Sequence, residues 1–218
     1  MSNIDSEKNY GNLGVGLLNF WKLLEATATE GNDELNELIA ELKNISACPT
    51  ESPKHTDILT KLFNTAVLNM DSPKRSLNRL NKILIKANPY IHWYPNNVYE
   101  NETDAKKSDN YCANIIGKGR ESQKNPFLFY NANVLVGLFL LGPNKLYPEH
   151  FHPASEMWVV LSGRARWKRG EEEWRTREPG EYFFHSSNES HAMETMNEPL
   201  LALWAWTGDL DQWAKWKD

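Results

Sequence analysis

The sequence predicts an α+β protein in which an N-terminal α-helical layer, residues 1–90, packs on a C-terminal β-barrel of jelly-roll type, residues 126–213. Two observations lead there. The apolar period is helical in the first half and strand-like in the second. Turn residues also divide the second half into short segments at near-regular spacing, as a barrel or jelly roll requires. Residues 91–125 are left as a connecting loop or lid.

The helical pattern runs from about Val15 to Ala87 in four stretches. They carry Leu17, Leu18, Trp21 and Leu24; then Leu35, Leu38, Ile39 and Leu42; then Ile58, Leu59, Leu62, Phe63 and Val67; and last Leu77, Leu80, Ile83 and Leu84. Gly31-Asn32-Asp33 opens the second helix with a capping residue, Pro49 and Pro53 separate the second from the third, and Ser72-Pro73 starts the fourth. The apolar stripes must be buried on each other or against the β part. Residues 88–125 hold Pro89, Pro95, Asn96-Asn97 and the polar run Glu100 to Asn110, a long connection with short extended pieces. From Asn131 onward, strands are expected at 134–141, 157–161, 165–168, 173–176, 182–184 and 200–206, separated by turns such as Gly142-Pro143, Ser162-Gly163 and Pro179-Gly180.

The whole chain narrows the function classes. With 218 residues, 40% hydrophobic, it can bury a real core, and nine Trp make that core aromatic. A net charge of −5, with 24 basic residues spread along the chain, gives no footprint for nucleic acid. Cys48 and Cys112 lie far apart and form no Cys-x-x-Cys pair, so reduced thiols are expected. No basic, apolar leader opens the sequence, and no apolar stretch is long enough to span a bilayer, so a soluble, cytoplasmic protein is expected. The expected partner is a small-molecule substrate; no nucleic acid or membrane is expected, and a homodimer is compatible with the sequence.

The chemistry is concentrated in His150-Phe-His152-Pro-Ala-Ser-Glu156, followed by Gly163 and His191. Residues two apart on a strand share a face, so His150 and His152 point to one interior, and Glu156 returns to it after Pro153. Imidazole with carboxylate suits one divalent transition metal: Zn, Fe, Ni, Mn or Co. The competing reading, ordinary solvated histidines, fits the spacing less well, since a histidine pair on a helix surface sits three or four apart.

These spacings resemble the first cupin motif, His-x-His-x3-Glu-x6-Gly, at every position. The second motif aligns from Gly180 to His191, with Ser186, Asn188 and Thr195 in place of its Pro, second Gly and Asn. The resemblance implies a double-stranded β-helix barrel and makes His191 the fourth ligand beside His150, His152 and Glu156. His185 then falls to a packing or supporting role.

Read continuously, Leu146-Tyr-Pro-Glu-His-Phe-His-Pro-Ala-Ser-Glu, Leu161-Ser-Gly-Arg-Ala-Arg-Trp, Glu178-Pro-Gly, His191-Ala-Met-Glu-Thr and Glu198 through Leu210 resemble the dimethylsulfoniopropionate lyase and lyase-like cupins. That resemblance covers residues 127–213 and implies cleavage of dimethylsulfoniopropionate, or a related small carboxylate, to dimethyl sulfide and acrylate. Such an elimination needs a Lewis acid for the carboxylate and a positioned base. Two residues after the motif glutamate, where these lyases carry a tyrosine, stands Trp158, whose indole neither accepts a proton nor binds metal. Tyr147 matches the family pattern and becomes the base candidate, with Tyr182 and Lys145 behind it. Trp158, Trp204 and Trp206 are the candidates to hold the sulfonium by cation–π attraction; Trp167, Trp174, Trp213 and Trp216 are assigned to core. Two other readings keep the barrel: an Fe-dependent oxygenase or isomerase acting on a small carboxylate, and a non-catalytic binding cupin.

Overall fold

A computed structural model describes residues 13–16, 18–19, 21–22, 32–48, 52–68, 75–96, 109–118 and 126–217. Its helices are α1 (Asn32–Leu42), α2 (Asp57–Leu68) and α3 (Arg75–Ala87), preceded by helical residues between 13 and 22 and followed by a 3₁₀ turn at Asn88–Tyr90. Leu17, Leu24, Gly31, Pro49, Ser72-Pro73 and most of the polar run after residue 96 lie outside the described residues. No helix among the described residues is long and apolar enough to cross a membrane.

The strands form two sheets. The larger contains β1 (Ser46–Ala47), β2 (Trp93–Pro95), β3 (Asn110–Gly117), β4 (Phe129–Tyr130), β5 (Leu135–Leu141), β7 (Ala154–Ser162), β10 (Tyr182–His185) and β12 (Leu200–Gly208). Their order is β1-β4-β3-β5-β12-β7-β10, with β2 paired to β3. The smaller contains β6 (Leu146–Phe151), β8 (Ala165–Arg169), β9 (Arg175–Arg177), β11 (His191–Thr195) and β13 (Lys215–Trp216), in the order β13-β6-β11-β8-β9. Consecutive strands alternate between the sheets from β5 to β8, as in a double-stranded β-helix.

Along the central strands of the larger sheet, buried residues face one of two cores. On β12, Leu201, Leu203 and Ala205 join the helical residues Leu59, Phe63, Leu77, Leu80 and Leu84 in an outer core. The alternate residues Leu200, Ala202, Trp204 and Trp206 join Phe139, Trp158, Val160, Trp167, Phe183 and Met193 between the sheets. Both faces of β5, β7 and β12 are therefore covered, which is why these strands read as continuous apolar runs rather than alternating ones. The helical stripes are buried on the sheet, as one of the two sequence options required. Ser162 Oγ donates to the Ala66 carbonyl at 2.5 Å, and Trp21 Nε1 to Met157 Sδ at 3.2 Å, fastening the helices to β7.

Three differences from the sequence reading have physical causes. Residues 110–117, read as connection, form a strand paired along β5 and buried at most positions; its Asn110, Asn114 and Gly117 interrupt the apolar signal. Trp174, Trp213 and Trp216 are not core: Trp174 is half-buried under the Arg166 guanidinium, and Trp213 and Trp216 are 65% and 41% exposed. Ile58, assigned to an apolar stripe, faces solvent.

Candidate metal centre

The two sheets deliver the site from opposite sides. On the smaller sheet, His150 of β6 and His191 of β11 are cross-strand partners, so their side chains share a face and the rings approach to 4.2 Å. On the larger sheet, Glu156 of β7 is flanked by His185 of β10 and Trp206 of β12, its register partners. His152 lies in the short β6–β7 connection between the sheets, with its ring 5.1 Å from that of His191. The four histidines, Glu156 and Trp206 are all buried.

The hydrogen bonds define which nitrogens are available. Nδ1 of His150, His152 and His191 lies 2.8, 3.0 and 2.9 Å from the carbonyls of Pro148, Ala154 and Glu189. A carbonyl only accepts, so each Nδ1 carries the proton and each Nε2 presents a lone pair. His152 Nε2 and His191 Nε2 are buried without a hydrogen bond, 3.4 and 3.1 Å from Glu156 Oε2. Acceptors facing a carboxylate repel unless a cation lies among them. Ligand atoms of His150, His152 and His191 lie within 4.8 Å of one another, and so do those of Glu156, His185 and His191. The donor set therefore fits a divalent transition metal, and the backbone carbonyls hold the imidazoles in the ligating tautomer.

Glu156 is held at both oxygens. Trp158 Nε1 donates to Oε2 and Trp206 Nε1 to Oε1, each at 2.6 Å, so both carboxylate oxygens accept a short bond from an indole N–H. Burial alone would raise this carboxyl, yet it is held well below the ordinary range, and the two indole N–H donors favour its ionised form. Burial, reinforced by His191, lowers His150 to about 3 and His185 to about 4, so both rings are neutral near neutral pH. His185 stacks on His191 at 4.0 Å with Nδ1 3.4 Å from Glu156 Oε2, beside the carboxylate.

The candidate bases separate. Tyr147 is buried against His150, 4.7 Å between ring centres, and its hydroxyl accepts from Asn96 Nδ2 at 3.1 Å. Burial pushes its pKa up and disfavours the phenolate, while the Asn96 contact works in the opposite direction. Tyr182 alternates with Phe183 and His185 on β10 and packs with Phe184 against the outer core, across the sheet from Glu156, so it does not join the site. Lys145 is half-buried at the turn before β6.

The tryptophans also differ from one another. Trp158 is enclosed by Phe139 and Trp167, and Trp206 lies against His152 at 4.1 Å. Trp204 sits over Gly137, where an added Cβ would come within 2.3 Å of the indole. Sequence reasoning missed Tyr94, whose hydroxyl donates to Asn114 Oδ1 at 3.0 Å and which packs against the inner cluster beside Tyr147 and Cys112. A two-residue period in the connection, Tyr94–Asn96 and Cys112–Asn114, was the available signal.

Comparison with known proteins agrees with this geometry. The dimethylsulfoniopropionate lyase family model matches residues 26–202. The dimethylsulfoniopropionate lyase DddQ of Ruegeria pomeroyi is 34% identical over 101 residues, which are 46% of this chain and 46% of that protein. The match thus spans about half the length of that relative. The crystal structure of DddQ from the same organism superposes with a TM-score of 0.73 at 20% identity, covering 97% of each chain. A structure from the work on the lyases RdDddP and RnDddQII gives 0.68 at 19% identity over the full length of both chains. At these identities the superpositions speak for the fold alone, whereas the family match extends from just before α1 into β12 and includes every candidate ligand. The chain belongs to the dimethylsulfoniopropionate lyase family.

Proposed function

We propose that this protein is a metal-dependent lyase that eliminates dimethyl sulfide from dimethylsulfoniopropionate, leaving acrylate. Family membership together with Tyr147 against the rim of the imidazole cluster carries this reading. His150, His152, Glu156 and His191 would hold the ion. When bound, it supplies a Lewis acid for the substrate carboxylate and so spreads the charge that builds up beside it.

The chain's residues then have distinct tasks. Tyr147, as its phenolate, takes the proton from the carbon beside the carboxylate and becomes the neutral phenol, the C–H electron pair becomes the new C=C bond, and the C–S pair leaves on sulfur as neutral dimethyl sulfide. Asn96 donates to the Tyr147 oxygen and favours its ionised form, offsetting part of the burial cost. Trp158 and Trp206 give their N–H groups to Glu156 and orient the carboxylate. Trp158 accepts no proton, so Tyr147 does this work without a second phenol beside Glu156.

Metal-loaded protein incubated with dimethylsulfoniopropionate is expected to release acrylate and dimethyl sulfide in equal amounts. Tyr147→Phe should lower kcat about a hundredfold or more, the scale for losing a general base, with metal content unchanged. Activity within a fewfold of wild type would remove Tyr147 from the mechanism. No acrylate from fully metallated wild type would sink the lyase reading.

A further inference from the structure

Beyond β12 the chain does not leave the barrel. Leu210 is buried in the inner core, and the Asp209 side chain closes a turn by accepting from the Asp211 N–H at 3.0 Å and Gln212 Nε2 at 3.2 Å. Lys118 pairs with Asp211. The segment then returns along the edge of the smaller sheet as β13, antiparallel to β6, with Lys215 opposite Phe151 and Trp216 opposite His150. Its end is fastened at Glu149: the Lys217 N–H donates to the Glu149 carbonyl at 3.0 Å, and Lys217 Nζ to Glu149 Oε1 at 2.6 Å. Ser190 Oγ donates to the same carboxylate at 2.7 Å, and Lys168 Nζ lies 3.4 Å away.

This strap puts one ring where the candidate ligands are. Cross-strand partners share a face, so Trp216 is on the His150 side of the sheet, 5.5 Å from the His150 ring and 5.8 Å from Tyr147. The interior tryptophans have their faces against neighbours and, for Trp158 and Trp206, their N–H groups on Glu156. Trp216 instead keeps 41% of its surface open beside the same cluster. An aromatic ring left partly open beside a metal-and-carboxylate site attracts a cation that is tethered to a carboxylate. The family match ends at residue 202, so the strap lies outside the segment on which membership rests.

We propose that Trp216, held by the Lys217–Glu149 clamp, is the specificity-determining wall of the substrate site, selecting small carboxylates that carry a positive sulfonium or ammonium head over neutral ones. This inference rests on the lyase reading for the identity of the substrate, but not for its test.

Two unreactive probes of equal shape separate charge from bulk: 3-(trimethylammonio)propanoate and its carbon isostere 4,4-dimethylpentanoate, titrated calorimetrically into full-length, metal-loaded protein. Wild type should bind the cation about five- to thirtyfold more tightly, the span of a desolvated cation–π contact. Trp216→Ala should lose most of that preference by weakening the cation alone, while Trp216→Tyr keeps most of it. Lys217→Met, which leaves the ring but frees the strap, should reduce the preference in the same direction. Metal content and Tm read alongside exclude a folding defect, and the exposed Lys217 variant serves if Trp216→Ala does not accumulate. Equal weakening of both probes by Trp216→Ala would overturn the proposal and leave Trp216 as packing. A full preference retained in Trp216→Ala would also overturn it while leaving the lyase reading intact. No charge preference in wild type would defeat the proposal and the sulfonium reading together.

Discussion

At the scale of single residues, the decisive observation is which ring nitrogen each histidine exposes. Carbonyl acceptors at Pro148, Ala154 and Glu189 turn three Nε2 atoms toward one another, and those of His152 and His191 lie 3.4 and 3.1 Å from Glu156 Oε2. His185 differs because its Nδ1 faces Glu156 at 3.4 Å while its ring stacks on His191. His191→Ala is therefore expected to lose most of the bound metal, whereas His185→Ala should retain at least half and bind it roughly ten- to a hundredfold more weakly, the effect of losing a group that supports a ligand. Elemental analysis after gel filtration, with a competing chelator for affinity, measures both. Equal, near-total loss in the two variants would exchange their roles. His150, His152 and Glu156 were legible in the sequence because a two-residue spacing on a strand has one geometric meaning. Tyr182 was not, because its parity on β10 depends on which face of that strand is inward.

At the scale of elements, short turns fix the register that makes these residues meet. Gly163 closes the β7–β8 turn at φ +76°, and a Cβ there would come within 2.1 Å of the Pro199 carbonyl oxygen. Neither the backbone conformation nor the space admits a side chain. Gly163→Ala should destabilise the protein by about 2 kcal/mol or more, on the scale of other substitutions that force strain at a special backbone position. Urea unfolding monitored by tryptophan fluorescence tests this, and a loss under about 0.5 kcal/mol, the range of neutral surface changes, would show that the turn can relax. The glycine was visible in the motif, but the reason for it was not: Pro199 is 36 residues later in sequence and arrives only when β12 pairs with β7. The strand at Asn110–Gly117 was hidden for a related cause. Its partners β2 and β5 are supplied by the fold, and its polar residues Asn110 and Asn114 are accommodated at an end of the strand and by the Tyr94 hydroxyl.

At the scale of the whole molecule, a cluster of buried neutral imidazoles makes folding depend on pH. His150 and His185 are lowered by burial to about 3 and about 4, below the 6.5 of an exposed histidine. Between those limits the unfolded chain binds more protons than the folded one, so this contribution is complete above pH 6.5 and is lost as pH falls toward 4. Glu156, also held low, adds a loss in the same direction below about pH 4.5, its ordinary value. Metal-free protein should show Tm nearly constant from pH 7.5 to about 6.5 and falling steadily from there to 4.5, and metal addition should raise Tm. A Tm independent of pH over that window would contradict the burial of these rings. The sequence by itself determined the two halves of the fold, the ligand motif and the family, because apolar period and ligand spacing are local properties read along one strand or helix. Only the tertiary structure decided that Trp158 and Trp206 hold Glu156, that Tyr147 and not Tyr182 reaches the cluster, and that Trp216 returns from the end of the chain to His150. Those outcomes depend on strand pairing between distant segments, and no local pattern specifies which face of one strand meets which face of another.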